Sequence, residues 1–284
     1  LTDMTSDIRH WRMIRNREFD VAELSMSSYL LAKFMAQAFV AIPVFLHRRF
    51  RHGFIFINSR KGIQKPADLI GRNVGLRNFQ ATTNLWIRGI LEHDHQLPHR
   101  KVHWVTQDEE EVPFPAPKDL MLQRIQTGKK VEQMLVSGEL DALIHPEVIQ
   151  PILDRDNRVK RLFENYKESE IDFYKRTGIF PIMHTTAIKQ EVVDRYPWVP
   201  ASLMEAFELA KVLGIAGKPA TPEGLTDLAR EIVGVLEVGT LVIHPVRYAL
   251  AASGKAVDLV EGPFVPDPLI TTGAGDHFNS GFCL

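Results

Sequence analysis

The sequence predicts an α/β fold, and three features point to it. Short β-favouring runs alternate with stretches of helical spacing, the pattern of layered sheets and helices. Gly, Pro, Asn and Ser punctuate the joins between them. Hydrophobic residues make up 45% and charged residues 24% of 284 residues, a balance that buries a core and argues against disorder. At roughly 150 residues per domain, the length suggests about two domains. Lys and Arg total 34 against 35 Asp and Glu, a net charge of −1, which excludes a dedicated basic nucleic-acid binder. The single cysteine, Cys283, excludes an intrachain disulfide framework and a cysteine-rich zinc site.

The elements follow in order. Phe19–Leu24 alternates like a strand, and Ser25-Met26-Ser27-Ser28 then offers caps for a helix that the spacing carries from Tyr29 to Val40. Ala41–Leu46 and Gly53–Asn58 are β-favouring, joined by the basic and aromatic connector His47–His52. Lys65–Leu69 starts a short helix with Pro66 in its first turn. Arg72–Leu76 is a strand, and Asn78–Thr83 opens a helix through Trp86, Ile90 and Leu91. Val102–Thr106 is a strand, and the acidic, Pro-containing segment Asp108–Lys118 is a loop. Val131–Ser137 reads as a helix closed by Gly138, and Asp141–Ile144 as a strand ending at His145-Pro146. Glu147–Leu153 and Leu162–Lys175 are helical, Ile179–Thr185 is a strand, and Ala201–Leu213 is a helix. The texture changes at Gly214, Gly217 and Pro219. Domain boundaries are therefore expected as 1–213, a linker at 214–218, and 219–284. In the last part, Thr221–Gly224 caps a helix, Thr240–His244 is a strand, and Val257–Glu261 alternates like an edge strand.

Two places in the first part are suited to binding an anion. Ser27-Ser28 and Thr82-Thr83 each stand where a strand gives way to a helix, so free N–H groups and the positive dipole end favour a carboxylate. The other reading of both pairs is simple N-capping. Asn78 and Gln80 sit in the turn before Thr82, and Arg49, Arg51 or Arg88 offers a bidentate contact. His93, His95, His99 and His103 cluster without helical ligand spacing, with Pro98 among them, and are expected as a solvated loop and not a metal site.

Residues 18–213 resemble the 4,5-dihydroxyphthalate decarboxylase family. The resemblance rests on Arg17–Tyr29, Phe50-Arg51-His52, Lys65–Leu69, Val74-Gly75, Trp86–Leu91, Asp141–Ile144, Gly178–His184 and Tyr196–Val199. It implies two α/β lobes of the type 2 periplasmic-binding-protein kind, truncated at the N-terminus, with a ligand cleft between them. It also implies loss of one carboxylate from a catechol diacid, giving protocatechuate and carbon dioxide. That chemistry wants a clamp for the retained carboxylate, a group that polarises the hydroxyls, and a proton donor near neutral pKa. Histidine suits the last role, and His52, His145 and His184 are the candidates. Each has an alternative as a structural or solvated side chain. No cofactor is expected, with a divalent metal left open.

Residues 219–284 resemble the C-terminal half of ribokinase-like (PfkB) sugar kinases, on Val242–Pro245 and on Leu269–Phe282 with its turn Gly273-Ala274-Gly275-Asp276. In that family the glycine-rich turn stabilises the transferring phosphoryl group, and the residue matching Asp276 takes the hydroxyl proton. The sugar-binding half that should precede the motif resembles another family here, so a ribokinase-like fragment joined to the first part is expected, without kinase activity. Three functional readings stand: decarboxylation of an aromatic dicarboxylate, capture of a small carboxylate without catalysis in an uptake system, and a sugar kinase. The partner is a small aromatic carboxylate, with no nucleic acid and no membrane span. Leu1–Phe19 has no basic, apolar and small-residue succession of a secretory leader, so a cytoplasmic protein is expected. Both ends are expected to be cut, since the chain starts at Leu1 and stops inside a motif.

Overall fold

The computed structural model describes residues 5–212, residues 223, 226, 227 and 230, and residues 240–243, 248–253 and 256–261. The chain divides into two compact units, Ser6–Pro197, and Trp198–Leu284 together with Leu1–Thr5. The expected linker at 214–218 and the turn Gly273-Ala274-Gly275-Asp276 lie outside the described residues.

Ser6–Pro197 contains two sheets. The smaller is antiparallel, with β1 (Val21–Ser25) and β2 (Phe39–Arg48) on either side of β9 (Ile182–Lys189). The larger has six strands: β6 (Leu122–Arg124), β5 (His103–Thr106), β4 (Asn73–Leu76), β7 (Ala142–Ile144), β3 (Ile55–Asn58) and β8 (Val159–Arg161), in that order across the sheet. β6, β5, β4 and β7 run parallel, whereas β3 is antiparallel to both its neighbours. The chain leaves the small sheet after β2 and returns at β9. The period-two pattern of the large sheet sorts its core into two layers. Ile55, Ile57, Val74, Leu76, Trp104 and Ile144 pack with Ile87 and Leu91 of α3 (Thr82–His95). Phe56, Val105 and Leu143 pack with Val131 and Leu135 of α4 (Val131–Ser137) on the opposite face. Gly75 leaves room for the side chain of Leu140, since a Cβ there would stand 2.5 Å from Leu140 Cδ1. α5 (Gln150–Leu153), α6 (Tyr166–Thr177) and α7 (Gln190–Arg195) complete the unit.

The first helix, α1 (Ser6–Asn16), was not legible as an element from sequence. Its buried face is His10, Met13 and Ile14, the i, i+3, i+4 spacing of a short amphipathic helix, with Asp7 and Arg15 matched to its dipole. Met13 and Ile14 pack with Ala22, Leu24, Phe39 and Ala187 on the small sheet and with Ala32 of the next helix. The following helix, α2 (Met26–Phe34), starts earlier and stops earlier than Tyr29–Val40. Ala36 adopts φ 59°, while Ala36 N–H donates to Lys33 O and Gln37 N–H to Ala32 O, the pair of bonds that ends a helix in a left-handed turn. β2 then runs through Pro43, which is tolerated because β2 is an edge strand with a bulge between Ile42 and His47.

Other differences are local. Lys65–Leu69 forms only a 3-10 turn, Pro66–Leu69. α3 reaches His95, so His93 and His95 belong to its last turn and not to a loop. Gln96 (φ 54°) ends the helix before Pro98. The short strands β6 (Leu-Gln-Arg) and β8 (Val-Lys-Arg) hold one apolar residue each, so neither shows a β-favouring run in the sequence.

In the second unit the described elements are α8 (Val199–Val212) and an antiparallel sheet of β10 (Thr240–Ile243), β11 (Tyr248–Ser253) and β12 (Val257–Glu261). β11 is Ala-rich and poor in β-formers; its pairing with both neighbours makes it a strand.

Candidate active site

The register of the small sheet assembles the site. β9 lies between β1 and β2, with Ser25 opposite His184 on one side and His47 opposite His184 on the other. Glu23 is two residues before Ser25, so it shares that face and reaches His184 diagonally. The Nδ1 of His184 lies 2.7 Å from Glu23 Oε1. The other carboxylate oxygen of Glu23 pairs with Arg9 of α1. The ring of His184 meets those of His10 and His47 edge to face, at 4.8 and 4.7 Å between centroids.

His184 opens onto a cavity of about 530 Å³. α1 contributes His10, Trp11 and Arg12; the turn after β4 contributes Arg77 and Asn78; the start of α3 contributes Thr82, Thr83 and Asn84; Glu111, Pro146 and Met183 close the wall. The N–H groups of Thr82, Thr83 and Asn84 make no hydrogen bond among the described residues, and Ala81 supplies no side-chain cap. This 14-residue helix therefore turns the positive end of its dipole towards the hollow. Three buried atoms of the lining also have no hydrogen-bond partner: Asn84 Oδ1, His10 Nε2 and Glu111 Oε2. Their residues are 1%, 4% and 8% exposed. Buried polar atoms are rarely left unpaired. Here they ring one space, with His10 Nδ1 3.7 Å from Glu111 Oε1.

The charges of the wall largely cancel. Arg77 is bound to Asp108 at 2.7 Å and lies 3.5 Å from Asp7, and Arg124 is 3.0 Å from Glu109. Behind the wall stands Arg51, 2% exposed and without a carboxylate within 4.0 Å among the described residues. Its Nε donates to Met183 Sδ at 3.0 Å and an amino nitrogen to Pro146 O at 2.9 Å, two residues of the cavity wall. Burial lowers its pKa to about 10, so it stays cationic at neutral pH. Burial also lowers His184, and His10 and Arg51 add to the effect while Glu23 opposes it. The hydrogen bond from His184 keeps Glu23 below the usual carboxylate range, with Arg9 contributing. Glu23 Oε1 and His184 Nδ1 thus share one hydrogen bond, while Nε2 of the ring has no hydrogen-bond partner among the described residues.

Of the residues expected from sequence, Asn78, Thr82, Thr83 and His184 come together here. The remainder do not line this cavity. Ser27 donates its N–H to Thr82 Oγ1 at 3.0 Å and its hydroxyl to Gln80 O, so the start of α2 is spent on the start of α3. Ser28 is fully buried. Gln80 exchanges two side-chain bonds with the backbone of Val112, both at 3.2 Å. Arg88 lies 3.7 Å over the Phe79 ring and donates to Phe79 O at 2.7 Å; burial lowers its pKa to about 10. Arg49 is 3.3 Å from Glu147 and borders a separate 330 Å³ hollow. His145 accepts from Glu147 N at 3.2 Å and faces a different hollow, bordered by Glu132 and Gln150. Glu23, His10 and Glu111 were missed. The available signals were a carboxylate inside the alternation of β1 and a histidine on the apolar stripe of a helix not read as one.

His52 is packed away from the cavity against Phe163 and Phe173, at 5.5 and 5.4 Å. It is 3% exposed, and burial lowers its pKa to about 4 from an ordinary 6.5. The unfolded chain therefore binds this proton first. The stabilising contribution is complete above pH 6.5 and is lost as the pH falls towards 4, a change of about 3 kcal/mol. Urea midpoints of His52→Leu should fall less between pH 7 and pH 4 than those of the parent chain. Identical acid limbs would contradict the assignment.

Among the described residues, no group of three His, Cys, Asp or Glu side chains is arranged to hold a metal ion. No described helix is long and apolar enough to cross a membrane.

Comparison with known proteins bears on the chemistry. No family model matches the chain. A 4,5-dihydroxyphthalate decarboxylase of Pseudomonas putida is 33% identical over 172 residues, 58% of this chain and 67% of the relative. The chain belongs to the 4,5-dihydroxyphthalate decarboxylase family. A second member, from Comamonas testosteroni, is 32% identical over 213 residues, 72% of this chain. The chain spans 64% of the length of that family member. Among solved structures, the periplasmic aliphatic sulphonate-binding protein of Escherichia coli aligns over 80% of this chain and 64% of its own. That alignment has 12% identity and a TM-score of 0.41. The alkanesulfonate-binding protein of Xanthomonas axonopodis pv. citri aligns over 80% of this chain and 65% of its own, at 12% identity and 0.43.

Proposed function

We propose that this member of the family removes one carboxylate, without oxidation, from an aromatic dicarboxylate of the 4,5-dihydroxyphthalate type. The observation that carries the proposal is one hollow shared by an uncapped helix N-terminus and an imidazole held through its other nitrogen by a carboxylate. The names of the two relatives supply the substrate class. In this reading the start of α3 binds the retained carboxylate, with Arg51 behind the wall adding positive potential. His10 and Glu111, each with an unpaired atom, take the ring hydroxyls. His184 supplies the proton.

A dianionic guest raises the pKa of a neighbouring imidazole, so binding should take up a proton at His184. Nε2 then delivers that proton to the ring carbon bearing the departing carboxylate, as a hydroxyl pushes electron density to it. The carbon–carbon bond breaks, its electron pair restores the aromatic ring, and carbon dioxide leaves. The new C–H bond keeps the proton, and solvent recharges Nε2.

The test is to mix the full chain with 4,5-dihydroxyphthalate and follow carbon dioxide and protocatechuate together with binding calorimetry. Stoichiometric release of both products supports the enzyme. Tight binding without turnover would replace it with a carboxylate receptor, and absence of binding removes both. For residues 219–284 the resemblance to sugar kinases is an inference of its own, resting on the sequence motif around Asp276. With that motif alone we expect no phosphate transfer from ATP, and transfer that disappears in Asp276→Asn would overturn this.

A further inference from the structure

Glu23 neither gives nor takes the transferred proton in the step just described, yet its surroundings are those of a group with a task. It is a half-buried carboxylate on β1, bound by Arg9 through one oxygen and by His184 through the other. Four further titratable groups are disposed around the same imidazole. His47 comes from β2, His10 from α1, Arg51 from the turn before β3, and Glu111 stands behind His10. Only Glu23 accepts a hydrogen bond from the ring among the described residues, and it does so at Nδ1. A neutral imidazole carries one N–H, so an acceptor at Nδ1 leaves Nε2 bare.

We infer that Glu23, anchored by Arg9, is the positioning residue that sets the tautomer and orientation of His184, making Nε2 the nitrogen that gains and delivers the proton. Its role in turnover rests on the decarboxylase reading, whereas its hold on the ring stands apart from that reading. The carboxylate acts twice. Its lone pair keeps the ring from turning, and its charge supports the imidazolium that must form beside His10, His47 and Arg51. Arg9 holds the carboxylate in place from the far side, so the pair can bear on His184 without moving.

The test combines nitrogen NMR of the histidine rings with pH profiles, using the full chain, Glu23→Gln and Glu23→Asp. His184 is assigned by the signal missing from His184→Asn. In the parent chain His184 should carry its proton on Nδ1. Glu23→Gln keeps an acceptor but removes the charge, and should weaken the proton affinity of His184 about tenfold. The alkaline limb of decarboxylation should move to lower pH by the same factor, with KM changed by less than about threefold. Glu23→Asp should restore a large part of both. A parent ring protonated on Nε2 would overturn the inference, as would a His184 titration unmoved in Glu23→Gln. If Glu23→Gln fails to fold, the parent tautomer and Glu23→Asp decide. If no decarboxylation is found, the activity proposal falls, and the NMR titration alone settles whether Glu23 governs the ring.

Discussion

His184→Asn should lower turnover of the dihydroxy diacid by roughly 10²–10⁴-fold, the scale of a lost general acid. The substitution is chosen for its geometry. The amide nitrogen of asparagine can take the place of Nδ1 and keep donating to Glu23, which lies 2.7 Å away in the parent chain. What disappears is Nε2, the nitrogen without a hydrogen-bond partner among the described residues. The fold should survive because His184 is a partly exposed residue on β9 whose strand pairing is made by the backbone. Affinity for the diacid should change by less than about tenfold, since α3 and Arg51 are untouched. Steady-state product formation with calorimetry on the same sample checks both halves. Retained turnover in a well-folded His184→Asn would remove His184 from the chemistry and return the search to His10.

Thr82→Val should produce the largest loss of stability. One hydroxyl serves three partners: Ser25 Oγ at 2.8 Å, Ser27 N–H at 3.0 Å and Ser27 Oγ at 3.0 Å. All of these residues are buried. Valine has nearly the same shape but no oxygen, so a backbone N–H is left without an acceptor and only the two serine hydroxyls, 3.4 Å apart, can re-pair. Leaving that buried donor unmet costs about 1–3 kcal/mol. Urea unfolding gives the number, and a loss below about 0.5 kcal/mol would show that water replaces the hydroxyl. The same variant separates two roles for this turn. If Thr82 only joins α2 to α3, ligand affinity stays near the parent value in the folded fraction. If its hydroxyl also reaches the ligand, affinity falls as well.

Period and punctuation made much of the fold legible. The strands β3, β4, β5 and β7 show short β-favouring runs, and α3 and α4 show apolar spacing with recognisable ends. Those signals are local, because a helix stripe or an apolar run is written in consecutive residues. Where a strand is mostly polar, as in β6 (Leu-Gln-Arg) and β8 (Val-Lys-Arg), no apolar run marks it, and at Pro66–Leu69 the helix start was legible but not its 3-10 geometry. The length of α2 depended on Ala36 entering a left-handed conformation, which an alanine does not announce.

The candidate site was legible only in part, and the reason is register. Ser27-Ser28 and Thr82-Thr83 were recognisable as two helix starts, but their positions along the chain cannot reveal that Thr82 Oγ1 would satisfy Ser27. The same holds for the histidines. His52, His145 and His184 were equal in sequence, each beside a strand. Packing separated them by burying His52 among Phe163 and Phe173, turning His145 towards another hollow, and setting His184 between Glu23 and His47. The α/β class, the family and the residue types its chemistry calls for are written in the chain, because they depend on composition, local period and motif. Which helix start stays open to a ligand, and which imidazole has a carboxylate at its back, follows from packing alone. Both depend on contacts between strands and helices far apart along the chain, and a shift of one residue in β9 would turn His184 to the opposite face.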